Sequence, residues 1–252
     1  MNDWSFPFGQ AVRKVEQTDR SPKKTFVLGV YASAVHARWE NPQGKTLVNA
    51  LAVASEPYIF WRGENAEEII QEIEISSELG RLVSAAQQFN GPSGTALDEL
   101  ILKPLGLTRA ETWLCDLVPH SCMNPAQQRA IERVYVPNIE QYQLPRPSLP
   151  SVPRKLSDPT RRAEILEELV ESGADVLILL GDQPIRWFLK FFDSRWQRLT
   201  DFTDYGEAKT VKISGKAYQV IALAHPRQIA KLGKSSQKWY EVHQTWIKNN
   251  AP

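Results

Sequence analysis

Four short apolar runs alternating with helix-forming segments predict an α/β protein: a three-layer α/β/α sandwich around a mainly parallel sheet. The runs are residues 25–31, 111–118, 174–181 and 218–224, rich in large apolar and β-branched side chains and closed by Gly, Pro or small residues. They are apolar along most of their length, as strands covered on both faces are. At 252 residues and 42% hydrophobic content the chain can bury a sizeable core, so one domain over 1–252 is expected.

In chain order, residues 1–24 mix aromatic and charged side chains without a period and read as an N-terminal arm or short helix. Thr25 to Tyr31 is the first buried strand, followed by a loop of small residues. Residues 47–61 read as one or two strands interrupted at Glu56-Pro57, after which Asn65 should cap an acidic helix with Glu67 and Glu68 at its positive end. Asn90 to Thr95 is a loop running into the helix Ala96 to Leu102, whose first turn would offer free N–H groups to an anion such as phosphate.

Glu111 to Val118 is a second central strand ended by Pro119, and the proline-rich residues 144–159 form an irregular surface connection. Residues 161–171 form an amphipathic helix, stopped by Gly173 before the strand 174–181. Asp182 then starts a helix through Phe192, with Pro184 early in it. A hairpin pairs 211–213 with 218–224 around Ser214-Gly215-Lys216, and its second strand delivers His225. The loops after Val30, Val118, Leu180 and Ala224 should share the carboxyl edge of the sheet, where open α/β sheets bind ligands.

Two cysteines, no apolar leader and no run of eighteen apolar residues give the expectation of a cytoplasmic protein without disulfides or a membrane partner. The net charge of +1 conceals segregation. Six glutamates and no base occupy residues 64–78, whereas Arg227, Lys231, Lys234, Lys238 and Lys248 face one acid, Glu241, in the C-terminal 28 residues. A second basic block holds Arg146, Arg154, Lys155, Arg161 and Arg162 against Asp158. Isolated blocks are commonly solvated faces, but two flanking a candidate site favour a nucleic-acid partner.

That site centres on His225-Pro226, where an imidazole at a strand end could donate to an oxygen gaining negative charge. Such a pair on its own is more often a turn with a hydrogen-bonded histidine. Its companions are Gly29-Val30-Tyr31-Ala32-Ser33, Phe89-Asn90-Gly91-Pro92-Ser93-Gly94 before a Leu-Asp-Glu-Leu helix, Leu105-Gly106-Leu107-Thr108, Cys115-Asp116-Leu117-Val118-Pro119 and Leu179-Leu180-Gly181. In that order, over about residues 25–234, they resemble the uracil-DNA glycosylase superfamily, nearest to its prokaryotic branches that often carry an iron–sulfur cluster. The resemblance implies an α/β/α sandwich and a hydrolase that everts a nucleotide from DNA and cleaves its N-glycosidic bond.

It also implies roles. Phe89 would stack on the everted base, Asp116 would read its edge where the family usually has asparagine, and His225 would stabilise the departing base. Gly29, Val30, Ser33 and Asn90 would complete the base pocket, and Ser93, Gly94, Pro226, Arg227, Gln228 and Lys231 would meet DNA, the last three in a minor-groove wedge. The first motif lacks the family's usual polar residue for positioning water, leaving His36 or the Tyr31 hydroxyl for that task. The same loop lacks the bulky side chain that excludes substituents at pyrimidine position 5, and Ala32, Ser33 and Ala34 leave room.

An ionised aspartate only accepts, which suits the 4-amino group of cytosine better than uracil. A 5-substituted cytosine, such as the hydroxymethylated or glucosylated cytosines of some phage genomes, is therefore the expected substrate, with antiviral defence as the role that would follow. The alternatives are an ordinary uracil glycosylase and a non-catalytic nucleic-acid-binding module; Asp116 could also simply pair with a base or cap a helix. Residues 37–88 form an insertion whose acidic helix should face away from DNA. Cys115, His120 and Cys122 are too few for a closed cluster or zinc site, so no metal and no cofactor are expected, with Cys115 buried in its strand. Trp187, Trp196, Trp239 and Trp246 could stack on bases, but Trp239 and Trp246 are spaced to pack a helix. A monomer is expected.

Overall fold

Continuous apolar runs pair in the interior, and in a computed structural model describing residues 3–233 and 236–250 they build a five-stranded sheet. Lys234 of the basic tail lies outside the described residues. The strands are β1 (Thr25–Tyr31), β2 (Ala34–Glu40), β3 (Thr46–Ser55), β4 (Arg81–Ser84), β5 (Thr112–Val118), β6 (Val176–Leu180), β7 (Lys209–Ile213) and β8 (Lys216–Leu223). The helices are α1 (Ala66–Gln71), α2 (Pro92–Leu97), α3 (Pro125–Ala130), α4 (Ile139–Tyr142), α5 (Pro159–Glu171), α6 (Asp182–Trp187), α7 (Pro226–Ile229) and α8 (Gln237–Asn250).

The central sheet runs β5-β1-β6-β8-β7, parallel except for the β7–β8 hairpin. All seven residues of β5 are buried although it lies at the edge of the sheet instead of its centre. The edge is covered because Gln17 of the N-terminal arm accepts the Leu114 N–H and Arg161 of α5 donates to the Asp116 and Leu117 carbonyls. With α5 packed on β5 and α6 on β1 and β6, the fold is α/β and compatible with three layers. The chain steps from β1 to β5 on one side and then to β6 on the other, so the strand order reverses at β1. A crevice forms outside the carboxyl ends at such a point.

Residues 34–84 do more than insert an acidic helix: they form a second sheet, antiparallel, in the order β3-β2-β4. The sequence reading found β3 and missed β2 and β4. The signal in β2 was alternation: Val35, Ala37 and Trp39 are buried, while His36 and Arg38 between them are partly exposed. This sheet has its own core, in which Trp39, Trp61 and Tyr135 meet Phe6 from the N-terminal arm. That arm holds a single 3-10 turn, Pro7–Gly9, instead of an α-helix.

Two local expectations need correction. Asn65 precedes α1 in a left-handed conformation and makes no side-chain cap, so the helix start depends on the turn geometry around Trp61 and Glu64. Arg161 and Arg162 are engaged within the fold instead of forming part of a free basic surface. Arg161 is 12% exposed and pairs with Glu164 and Glu168, while Arg162 lies over the Phe191 ring, because both stand on the first turn of α5 beside the ends of central strands. On α8, Trp246 is buried and Trp239 packs against the core, as their spacing predicts.

Among the described residues no helix is long and apolar enough to cross a membrane.

Candidate functional site

The β1–β5 register sets Gly29 directly beside Asp116. A Cβ on Gly29 would lie 2.2 Å from Asp116 Oδ1 and 2.7 Å from Phe60 Cζ, so only a residue without a side chain leaves the carboxyl and the ring their places. Past that pair, Val30, Tyr31 and Asp116 open into a cavity of about 880 Å³. The far wall comes from the second sheet, through Ala34, His36, Ala50 and Ala52, so the insertion braces the pocket. A smaller hollow of about 450 Å³ beside Tyr205 and α8 has Glu207 as its charged lining residue and lacks a comparable cluster.

Three separated segments converge on the larger cavity: Phe89, Asp116 and His225 all line it. Phe89 ends a 3-10 turn and remains 37% exposed, an unusual state for a phenylalanine held at a cavity wall. Asp116 is 3% exposed. His225 caps α7: its Nδ1 accepts the Arg227 N–H at 3.2 Å, which leaves the proton of a neutral imidazole on Nε2. Burial, followed by the Arg227 charge, lowers its pKa to about 4, so the ring is neutral over the physiological range. It can donate a hydrogen bond from Nε2 without carrying charge.

Val30, Tyr31, Ser33 and His36 line the same cavity, as do Ser93, Gly94 and Arg227. Burial lowers His36 to about 4 and raises the Tyr31 hydroxyl, and His36 Nδ1 is buried without a hydrogen-bond partner. Neither group is a strong base for water near neutral pH.

Five expected residues act from behind the cavity or outside its wall. Gly29 makes space for Asp116. The Asn90 amide is spent on β2, with its Oδ1 accepting the His36 N–H at 2.8 Å and its Nδ2 donating to the His36 carbonyl at 2.9 Å. It fixes the wall, with both ends of the amide engaged within the fold. Pro226 is buried at the first position of α7, and the Gln228 N–H closes that turn on the His225 carbonyl. Lys231 is exposed, with its Nζ 3.8 Å from the Tyr240 ring centre. The loop after Leu180 likewise supports from behind, since Gly181 N–H bonds to the Leu223 carbonyl next to His225.

Glu56 is the residue that sequence reasoning missed. It was read only as a strand break, yet it is 4% exposed, lines the cavity and accepts the Ser33 N–H at 3.0 Å. The available signal was a lone acid between the apolar strand ending at Ser55 and the aromatic run Tyr58 to Trp61. Burial and the nearby Asp116 charge raise Glu56 to about 8, against the pull of the Ser33 and Trp61 N–H groups. A buried carboxyl from the segment just beyond β3 thus stands against the Ser33 backbone in the loop after β1. Leu232, which lines the cavity beside Arg227, was also missed.

Asp116 departs from expectation in its charge. Burial raises it to about 7, although Arg161 and the Val30 N–H pull it down. Arg161 reaches the Asp116 backbone carbonyl at 2.8 Å and does not neutralise the carboxyl. Near neutral pH the group is therefore part acid and part carboxylate, and it can donate as well as accept. The acceptor-only expectation assumed a solvated aspartate.

Cys115 is buried in β5 with Arg161 against its sulfur, and burial raises the Cys122 thiol to about 11. Among the described residues no group of three or more His, Cys, Asp or Glu side chains is arranged to hold a metal. No protein-family model matches the chain, and no curated protein shows significant similarity to it.

Proposed function

We propose that this protein is a monofunctional DNA glycosylase that everts a pyrimidine nucleotide, with 5-substituted cytosine favoured, and hydrolyses its glycosidic bond to leave an abasic site. The observation that carries this reading is the convergence of an aromatic plate, a buried carboxyl and a neutral Nε2–H imidazole on one cavity at the strand-order reversal. The ordered motifs resembling the uracil-DNA glycosylase superfamily support it, as does an exposed Arg227 at the cavity margin. The volume of about 880 Å³ is in the range of small-molecule sites and exceeds what a bare pyrimidine ring fills. Ala32, Ala34, Ala50 and Ala52 supply the spare room. No lysine is among the described lining residues, which favours attack by water over attack by an amine.

In this reading the base stacks on Phe89, Asp116 meets its Watson–Crick edge, and His225 Nε2–H donates to the O2 oxygen as the C1′–N1 bond breaks. The test is base release from duplexes containing uracil, cytosine or 5-substituted cytosine, followed by alkaline strand scission. A glycosylase without a lyase step gives breaks only after alkali. His225→Ala should lower turnover about 10²–10³-fold, the usual effect of removing one such donor, with DNA affinity nearly unchanged. Absence of release from every substrate would leave a nucleic-acid-binding module. The partly protonated Asp116 also favours a second reading, a uracil glycosylase, because a carboxylic acid can donate to O4 and accept from N3–H.

A further inference from the structure

Cytosine poses a chemical difficulty that uracil does not. Uracil leaves as an N1 anion whose charge spreads over O2 and O4, whereas the cytosine anion lacks the O4 carbonyl and is far more basic. Its departure needs a proton on the ring. Across the cavity His225 is a neutral imidazole, its Nδ1 engaged by the Arg227 N–H, so it can donate a hydrogen bond but is a poor source of a transferred proton. His36 holds no proton to transfer near neutral pH, and burial makes Tyr31 and Cys122 weaker acids than usual.

Two carboxyls remain, Glu56 and Asp116, both almost fully buried and both lining the cavity. Resting on the glycosylase reading above, we propose that Asp116 is a catalytic acid as well as a reader: its hydroxyl gives a proton to N3 of an everted cytosine while its carbonyl oxygen accepts from the 4-amino group, and Glu56 takes the proton of the attacking water. The acid and the N3/N4 edge match in a two-point pair, one donor and one acceptor on each side.

The step balances. The Asp116 proton passes to N3, the C1′–N1 bond breaks with its electron pair going to N1, and neutral cytosine departs as its 3H tautomer. Water adds to C1′ of the oxocarbenium ion and its proton goes to Glu56. Exchange of one proton through solvent restores the pair, so one water is consumed and no redox partner is needed.

The surroundings suit a shared proton. Asp116 meets Arg161 and Glu168 from α5, Tyr31 on β1, its neighbour Cys115 and, from beyond β3, Glu56; Arg227 lies at the margin with His225. Arg161 is itself divided between Glu164 and Glu168. Burial raises Asp116 to about 7 and Glu56 to about 8, so the pair holds about one proton just above neutral pH. That proton resides more on Glu56, and the productive form, with the proton on Asp116 and the charge on Glu56, is the minor partner of the same one-proton state.

The experiment is single-turnover release by the full chain from duplexes carrying 5-hydroxymethylcytosine or 5-hydroxymethyluracil, between pH 5.5 and 9. Cytosine release should pass through a maximum between about pH 7 and 8 and fall toward tenfold per pH unit on either side. Release of the uracil analogue, which needs no ring proton and only an ionised Glu56, should instead rise to a plateau above about pH 8. Asp116→Asn should change the uracil-to-cytosine release ratio at least a hundredfold toward uracil, a readout that general misfolding would not move. Equal pH profiles for the two bases, an unchanged ratio in the variant, or release of uracil analogues alone by the unmodified chain would overturn the proposal while leaving a glycosylase. Release from neither duplex at any pH would overturn both the proposal and the function on which it rests.

Discussion

Replacing Glu56 by glutamine should stabilise the protein in alkali, because the fold holds this carboxyl where its charged form is unwelcome. Glu56 is 4% exposed and its pKa rises from 4.5 to about 8, through burial first and the Asp116 charge second. A carboxyl raised in the folded state favours folding while protonated. The benefit is complete below the unfolded value near 4.5 and is lost as pH rises through about 8. At about 1.4 kcal/mol per pH unit, the full rise bounds the alkaline cost at about 5 kcal/mol. Water penetration and relaxation reduce the realised cost to roughly 2–3 kcal/mol. Glutamine keeps an oxygen for the Ser33 N–H and carries no charge at any pH. In urea denaturation at pH 5, 7 and 9, Glu56→Gln should match the parent at pH 5 within about 1 kcal/mol and exceed it by roughly 2–3 kcal/mol at pH 9. Parallel stabilities from pH 5 to 9 would refute the argument, since they would mean that Glu56 ionises in the fold as easily as in water.

Gly29→Ala would force a methyl group to within 2.2 Å of Asp116 Oδ1 and 2.7 Å of Phe60 Cζ. Overpacking of this kind costs about 1–3 kcal/mol, so the melting temperature should fall by roughly 2–10 °C, with the carboxyl displaced and base release reduced. An unchanged melting curve and rate would contradict that placement. Arg227→Ala should weaken DNA binding at low salt and reduce the slope of log Kd against log salt by about 1, measured by fluorescence anisotropy. An unchanged slope would remove Arg227 from the phosphate contacts.

The parallel strands were legible because their signal is local. Residues 25–31 and 111–118 each read as an apolar segment closed by turn or small residues; the first is a strand over those bounds and the second over 112–118. The hairpin around Ser214-Gly215 was legible from its turn chemistry. β2 was not: it follows β1 after only Ala32 and Ser33, and the small residues at its start disguised the alternation in Val35 to Trp39. Asn90 illustrates the opposite error. A polar residue in a loop suggested contact with a ligand, but its amide satisfies the backbone of a strand 54 residues away in sequence.

Local order along the chain was enough to bring Asp116 and His225 to one sheet edge, because the direction of a parallel strand dictates where its following loop emerges, whereas Phe89 came forward only through the resemblance of the ordered motifs. Tertiary packing decided how those groups behave. Burial among segments distant in sequence raises Asp116 and Glu56 so that they hold protons near neutral pH, and a neutral His225 keeps its proton on Nε2 because the first turn of α7 occupies Nδ1. Burial and hydrogen-bond partners arise from segments far apart in sequence. Residue identity can nominate a chemical group, but its protonation depends on the solvent and charges that the folded chain leaves around it.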